Sequence, residues 1–464
     1  MKVHHRINSV KHYFVRSTSF GNLAWLSLII IGFGTLISSY INIKYSETIS
    51  FSVQDGWCDP KLQGIGTHCF GDFYAPITSA GDTNPWIATG LKFAYSPVSF
   101  AYFHLMGSQY LIAIFIKFPL YLNIFLTLIA LSIPGLHQIW TKRQPLKEGK
   151  WVIAIMLTAT PALMLIDRGT NNYLLVPLLY FYFNAIRSEK STQSLGLLVL
   201  MVLWKPQMFI FVLLYLTSFG FRKTIKATLI TIGAILGSFV LYPHGVLQNI
   251  SDWISNSRAY QTYSPIPTPG NYSFANLIGF LRGALRFLHS DGVLLGSAFR
   301  PPMSQLSVTA VSLVFGILTL GALYAAKRNL NLNYQILATT VFFLLIPGTT
   351  FGYYLVFLLV PLIFMIEDCE LQTKLPSRQS WSYAVYGILL FVMVPAWPIN
   401  LRNLGIPVPP VWEYIGVHWM FTHLLLVALA VVIFIDFLSI IIESRRVYWR
   451  ISFLKRPRFL TRWG

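Results

Sequence analysis

Apolar residues run along this chain in long blocks, and polar residues gather between them. About 20 apolar residues wound as a helix match the hydrocarbon thickness of a bilayer. Blocks of this kind predict membrane spans over residues 23–43, 110–139, 151–166, 173–186, 224–243, 304–326, 334–347, 351–366, 381–398 and 415–441. Residues 195–220 are also apolar, but Trp204-Lys205-Pro206-Gln207 interrupts them, and basic residues stand at both flanks. A residue before proline avoids helical angles, so two short helices are expected there, with Lys205 at the turn between them. Together these make about 12 crossings. Residues 95–106 are apolar but too short to cross, and read as an interfacial helix.

Polar stretches fall at residues 44–95, 244–302 and 399–414. Residues 1–22 lack a small-residue cleavage site, so the first span is expected to be retained. The chain reads as one integral, all-α membrane domain whose large loops carry short helices. It has no internal repeat, no low-complexity segment and no nucleotide-binding glycine loop.

Composition agrees with that pattern. Of 464 residues, 55% are hydrophobic and 11% charged, whereas a soluble domain carries about 25% charged residues. The net charge of +19 would suit nucleic acid if it were spread evenly. It is not. Assigning loops to alternate sides puts 24 Lys and Arg against six acids on one side, and 10 against nine on the other. The faces carry +18 and +1, the positive-inside signature, so both termini are expected in the cytoplasm. The basic ends are expected to rest on anionic lipid, and nucleic acid is not an expected partner. Lys117 and Asp436 fall inside predicted spans. Lys117 is expected to snorkel, and Asp436 to snorkel or pair with the basic tail.

Candidate chemistry lies on the outward side. The 44–95 loop gathers Glu47, Asp55, Asp59, Asp72 and Asp82 among aromatic residues. A carboxylate held at a membrane face can take a proton from an acceptor hydroxyl. If the donor is a sugar on polyprenyl phosphate, the leaving phosphate needs no protonation, so one carboxylate suffices. A glycosidase, by contrast, needs two. The departing phosphate then needs cations. Asp72 is the candidate base, within Gly71-Asp72-Phe73-Tyr74. Asp59 before Pro60 and Asp82 after Gly81 stand in turn contexts instead. Lys205, Arg168, Arg282 and Arg286 are the candidate phosphate ligands. Each has a plain alternative: Lys205 snorkels, Arg168 pairs with Asp167, and Arg282 and Arg286 form a solvated helix face. Phe73, Tyr74 and Tyr95 are candidates to frame the sugar. Asn172 and Asn271 either bind its hydroxyls or satisfy loop backbone. The histidines are scattered without ligand spacing and no outward Asp-x-Asp occurs, so no metal and no cofactor are expected.

Four motifs in order resemble one family. Gly71-Asp72-Phe73-Tyr74 followed by Tyr95-Ser96-Pro97 resembles the first-loop signature of glycosyltransferase family 87. Gly169-Thr170-Asn171-Asn172 resembles its Gly-Gln-x-Asn turn, Trp204-Lys205-Pro206 its Lys-Pro break, and Asn271-Tyr272-Ser273-Phe274 its Asn-x-Ser element before an Arg-bearing helix. Thr170 stands where the family usually has Gln, and Thr350-Phe351-Gly352 replaces a turn that often carries Trp and His. The resemblance implies a GT-C-like bundle and an inverting, metal-independent transferase with Asp72 as base. Its donor would be a polyprenyl-phosphate mannose, or another hexose or pentose, and its acceptor a glycolipid or cell-envelope glycan. The expected location is the bacterial cytoplasmic membrane, with the site on its outer face. Two alternatives stay open: a lipid-linked sugar flippase or transporter, and an O-antigen polymerase or ligase.

Cys58 and Cys69 both lie in the first outward loop, while Cys369 is predicted cytoplasmic. Thiols in an oxidising compartment tend to pair, so a Cys58–Cys69 disulfide is expected, the alternative being two separate thiols. Alkylation of the unfolded chain followed by mass spectrometry checks this. Cys369 should react without reductant, and Cys58 and Cys69 only after reduction.

Overall fold

The computed structural model describes Trp25, Ile29, Phe73, Pro76, Ile77 and residues 84–87, 95–108, 118–141, 146–263, 271–289, 303–327, 330–364, 380–394 and 417–454. The predicted first span, apart from Trp25 and Ile29, lies outside the described residues. So do Lys117, Cys58 and Cys69. Helix dominates, and the one β-type pairing among the described residues is an isolated bridge between Asn271 and Phe351.

The chain enters through α1 (Pro97–Met106), ten residues long and too short to cross, as its apolar length predicts. Ser96 caps it by accepting the Ser99 N–H at 3.2 Å, and Pro97 opens it without wasting a donor. Next come α2 (Phe118–Thr141) and α3 (Leu146–Thr158), packed closely on each other. A Cβ on Gly135 would lie 2.7 Å from the Gly149 carbonyl oxygen, and one on Gly149 would lie 2.8 Å from that of Gly135. The two glycines let the backbones touch, as small residues do between membrane helices.

The predicted span at 151–166 is bent. α3 and α4 (Thr160–Arg168) meet at about 60°. Ala159 between them is extended (φ −64°, ψ 141°), and Pro161 sits in the first turn of α4, where a missing N–H costs nothing. The Thr160 N–H freed by the bend donates to the Val394 carbonyl at 3.0 Å. That carbonyl just follows α13 (Ser380–Met393), so a bend and a helix end satisfy each other.

Between them the chain runs through α5 (Leu175–Arg187), α6 (Ser191–Trp204), α7 (Val212–Phe219) and α8 (Phe221–Ser238). It continues with α9 (Val246–Tyr263), α10 (Phe274–His289), α11 (Gln305–Ala326) and α12 (Leu332–Leu345). A helical segment over Gly352–Phe364 precedes α13, and α14 (Val417–Leu454) closes the described chain. From Asn333 to Leu345 every residue of α12 is buried, so α12 is the axis of the bundle. Phe211 and Phe357 pack on its Phe343, and Tyr182 and Phe183 pack in turn on Phe211.

Among the described residues, four helices are long and apolar enough to cross a membrane: Tyr121–Thr141, Phe221–Leu241, Leu306–Ala326 and Phe421–Glu443. Counting the bent pair as one span makes five. Most of each long helix faces outward with Leu, Ile, Val and Phe, the surface a bilayer covers. Several other predicted spans are apolar helices of 10–17 residues, among them α6, α12 and α13. The chain is therefore an all-α integral membrane protein.

Asp436 departs from expectation. It accepts hydrogen bonds from the Tyr334 hydroxyl at 2.5 Å and the Ser382 hydroxyl at 2.7 Å, which ties α14 to α12 and α13. A polar group at membrane depth finds partners inside the bundle when they are in reach.

The α2–α3 contact gives a direct test. Gly135→Ala and Gly149→Ala should each lower thermal stability by about 1–3 kcal/mol, as overpacking does. Gly233→Ala, whose added Cβ would meet nothing within 4 Å, should leave the melting temperature unchanged or slightly raised.

Candidate functional site

Five segments assigned to the outward side by charge alternation meet at one end of the bundle: the first loop with α1, the turn after α4, the break after α6, the start of α10, and the turn before Gly352–Phe364. The centre is Lys205. Its backbone is extended (φ −142°, ψ 105°), as its place before Pro206 demands. The short helical stretch Pro206–Phe211 then starts afresh, which leaves the Trp204 carbonyl outside the helical ladder. Two hydroxyls of α1 take it: Ser96 Oγ donates at 2.9 Å and Ser99 Oγ at 2.7 Å. The Trp204 indole N–H donates to the Asn171 carbonyl at 3.1 Å. Trp204 thus fastens both α1 and the 169–173 turn to the break.

That turn follows from its sequence. Gly169 closes α4 in the left-handed region (φ 64°, ψ 19°), where glycine pays no Cβ penalty. Thr170 then accepts from the Asn172 side-chain amide at 2.5 Å and from its backbone N–H at 3.4 Å. Asn123 of α2 donates to the Gly169 carbonyl at 3.1 Å and accepts from the Tyr102 hydroxyl at 2.6 Å. Tyr102 has one proton, so the Tyr173 hydroxyl, 2.7 Å away, is the donor of that pair. Burial, and then the neighbouring Tyr173, push the Tyr102 phenol above its ordinary range, so it stays protonated at neutral pH.

On the far side of the break, Lys205 Nζ donates to the Tyr354 hydroxyl and lies 3.9 Å from the centre of that ring. Tyr353 packs edge-on against Tyr354, with ring centres 4.4 Å apart. The 348–351 turn is held by Asn271, whose Oδ1 accepts the N–H groups of Thr350 (2.9 Å) and Ser273 (3.0 Å). Its Nδ2 donates to the Gly348 carbonyl at 3.0 Å. Ser273 Oγ reaches the same carbonyl at 2.8 Å. Buried His423 of α14 stands beside this turn, its ring centre 5.6 Å from that of Tyr272.

The first loop docks through aromatics. Phe73 is fully buried, packed edge-on against Phe103 of α1, and Tyr95 packs on Phe100 and Phe103. Trp86 lies among Phe100, Phe239 and Tyr242, while Asn84 donates to Asp252 of α9 at 2.8 Å, joining the first and second outward loops.

Of the sequence-predicted site residues, Phe73, Tyr95, Asn172, Lys205 and Asn271 enter this connected seam. Arg168 is half-buried in the last turn of α4, just before Gly169. Arg282 is exposed on α10, away from the described contacts of the seam. The backbone of Arg286 is helical, one turn on, but its side chain lies outside the described residues, as do Asp72, Tyr74 and the side chain of Asp167. The amides of Asn172 and Asn271 are spent on the turns they sit in. Ser96, Ser99, Tyr102 and Asn123 were not foreseen as site-building residues. Only Ser96 carried a signal, as the residue before Pro97.

The seam caps an all-α integral membrane protein, a class that leaves the activity open. No family model matches the sequence, and no curated protein matches it at a significant level.

Asn271→Ala removes three hydrogen bonds and leaves buried backbone groups of Thr350 and Ser273 unpaired. It should lower stability by about 1–3 kcal/mol or more. Limited proteolysis should show new cleavage near residues 348–352, whereas Arg282→Ala should change neither readout.

Proposed function

We propose that the protein is a GT-C-type membrane glycosyltransferase, a bundle of about 12 crossings with its site on the extracytoplasmic face. It moves a hexose or pentose from polyprenyl phosphate to a glycolipid or cell-envelope glycan. Asp72 takes the proton of the acceptor hydroxyl. The acceptor oxygen bonds to the anomeric carbon from one face as the carbon–oxygen bond to phosphate breaks on the other. The electron pair stays on the departing polyprenyl phosphate, and the anomeric centre inverts.

The observation that carries this reading is Lys205: a cation at a break between two short apolar helices, seated on Tyr354 and beside the 169–173 turn. An ammonium at such a place suits an anion that arrives through lipid. Aromatic neighbours beside that cation also suit a sugar ring attached to the anion. Phe73, the covalent neighbour of Asp72, is buried on α1, whose Ser96 and Ser99 hold the same break. Arg168, Arg282 and Arg286 remain further candidates for the phosphate.

One observation favours a second reading. The 60° bend between α3 and α4 and the break at Lys205 are interrupted helices of the kind that line substrate paths in transporters. A lipid-linked sugar flippase would use them without a base.

Sugar transfer from a radiolabelled polyprenyl-phosphate donor separates the two. Asp72→Asn should lower transfer by about 10²–10⁴-fold while donor binding persists. Lys205→Ala should lower it by about 10²–10³-fold, with partial recovery in Lys205→Arg. Full transfer by Asp72→Asn would remove the base assignment. A wild type inert toward every such donor would remove the class, and activity confined to diphosphate-linked oligosaccharides would select the polymerase or ligase alternative.

A further inference from the structure

The 169–173 turn contains one side chain with nothing to do. Asn171 is 1% exposed, and among the described residues neither its Nδ2 nor its Oδ1 has a hydrogen-bond partner. Its neighbours hold the turn: Thr170 caps it, Asn172 Nδ2 donates to Thr170, and Tyr173 donates to Tyr102. Buried polar atoms are nearly always paired, because an unpaired one forfeits its hydration for nothing. A whole amide left idle between Thr170 and Tyr173, whose hydroxyls are both engaged, calls for a missing partner.

We infer that the Asn171 amide is the sugar-recognition group of this site, and that it binds two adjacent hydroxyls of the transferred sugar. The inference rests on the proposed donor class. The chemistry of the amide selects hydroxyls over phosphate. Nδ2 donates and Oδ1 accepts, side by side in one plane. A phosphate oxygen only accepts, so it would leave Oδ1 idle and face its lone pairs. Neighbouring hydroxyls on a sugar ring accept from Nδ2 and donate to Oδ1, which satisfies both atoms at once. Lys205 then meets the phosphate and Asn171 the ring, and Trp204 links the two through its bond to the Asn171 carbonyl. Both amide atoms are closed to solvent in the ligand-free chain. Side-chain rotation on binding opens the way, with half-buried Trp204 the neighbour placed to yield. The turn therefore assigns sugar contact to Asn171 and a structural role to Asn172.

The test uses the full chain in lipid nanodiscs, with Asn171→Leu, a near-isosteric change that removes both idle atoms. Three probes are compared: undecaprenyl phosphate, undecaprenyl-phosphate mannose and undecaprenyl-phosphate arabinose. Wild type should bind at least one sugar-bearing lipid about tenfold more tightly than the bare lipid phosphate. In Asn171→Leu that ratio should fall to near one, with affinity for the bare lipid unchanged. Without ligand, Asn171→Leu should melt at or above the wild-type temperature, since no bond is lost, while Asn172→Leu should melt lower. A lower melting temperature for ligand-free Asn171→Leu would reveal a structural partner and overturn the inference. Retention of the sugar preference in Asn171→Leu, or its absence in wild type, would overturn it and leave the donor class standing. Binding of none of the three lipids by wild type would overturn the donor class and the inference together.

Discussion

An apolar bundle cannot leave a backbone carbonyl unanswered, and the carbonyl of Trp204 is where this constraint shapes the molecule. Pro206 cannot continue the helix, so Lys205 turns extended and the Trp204 carbonyl drops out of the ladder. In lipid that group has no water to turn to. Ser96 and Ser99 supply the missing donors, and in doing so they fix α1 against the break. The first loop then docks on α1 through Phe73, Ile77 and Trp86, and the second loop docks on the first through Asn84 and Asp252. A single interruption thus anchors the polar end of the protein.

The same interruption sets out the candidate chemistry. It fixes the Lys205 ammonium at the break, sets Tyr354 against it and aims the Trp204 indole at the 169–173 turn. Asn271 fixes the turn before Tyr354 from the other side. The polar side chains of the seam divide into two kinds. Most complete the fold: Thr170, Asn172, Asn123, Tyr102, Asn271 and Ser273 spend their groups on one another or on backbone. Lys205 and Asn171 stand apart, one as a cation seated on an aromatic ring and the other as an amide with both atoms idle.

Lys205-Pro206 announced a break because the geometry before proline is local, and Gly169 announced a turn for the same reason. Charge alternation alone put five segments on one side, and those segments do meet at one end of the bundle. Span lengths were less legible. Residues 151–166 look continuous because bending at Ala159 depends on a remote partner, the carbonyl of Val394. Asp436 looked like a residue that must escape the membrane because Tyr334 and Ser382 are distant in sequence. Of the turn's two asparagines the motif singled out Asn172, and only the hydrogen bonds separate Asn172, bonded to Thr170, from idle Asn171.

The central claim is that the break at Lys205 is built to receive a lipid-borne phosphate. A structure of the chain in nanodiscs with a bound polyprenyl-phosphate sugar tests it most directly. The account predicts a phosphate oxygen about 3 Å from Lys205 Nζ, with the Trp204 carbonyl still held by Ser96 and Ser99. A phosphate bound elsewhere, with Lys205 unmoved on Tyr354, would contradict it.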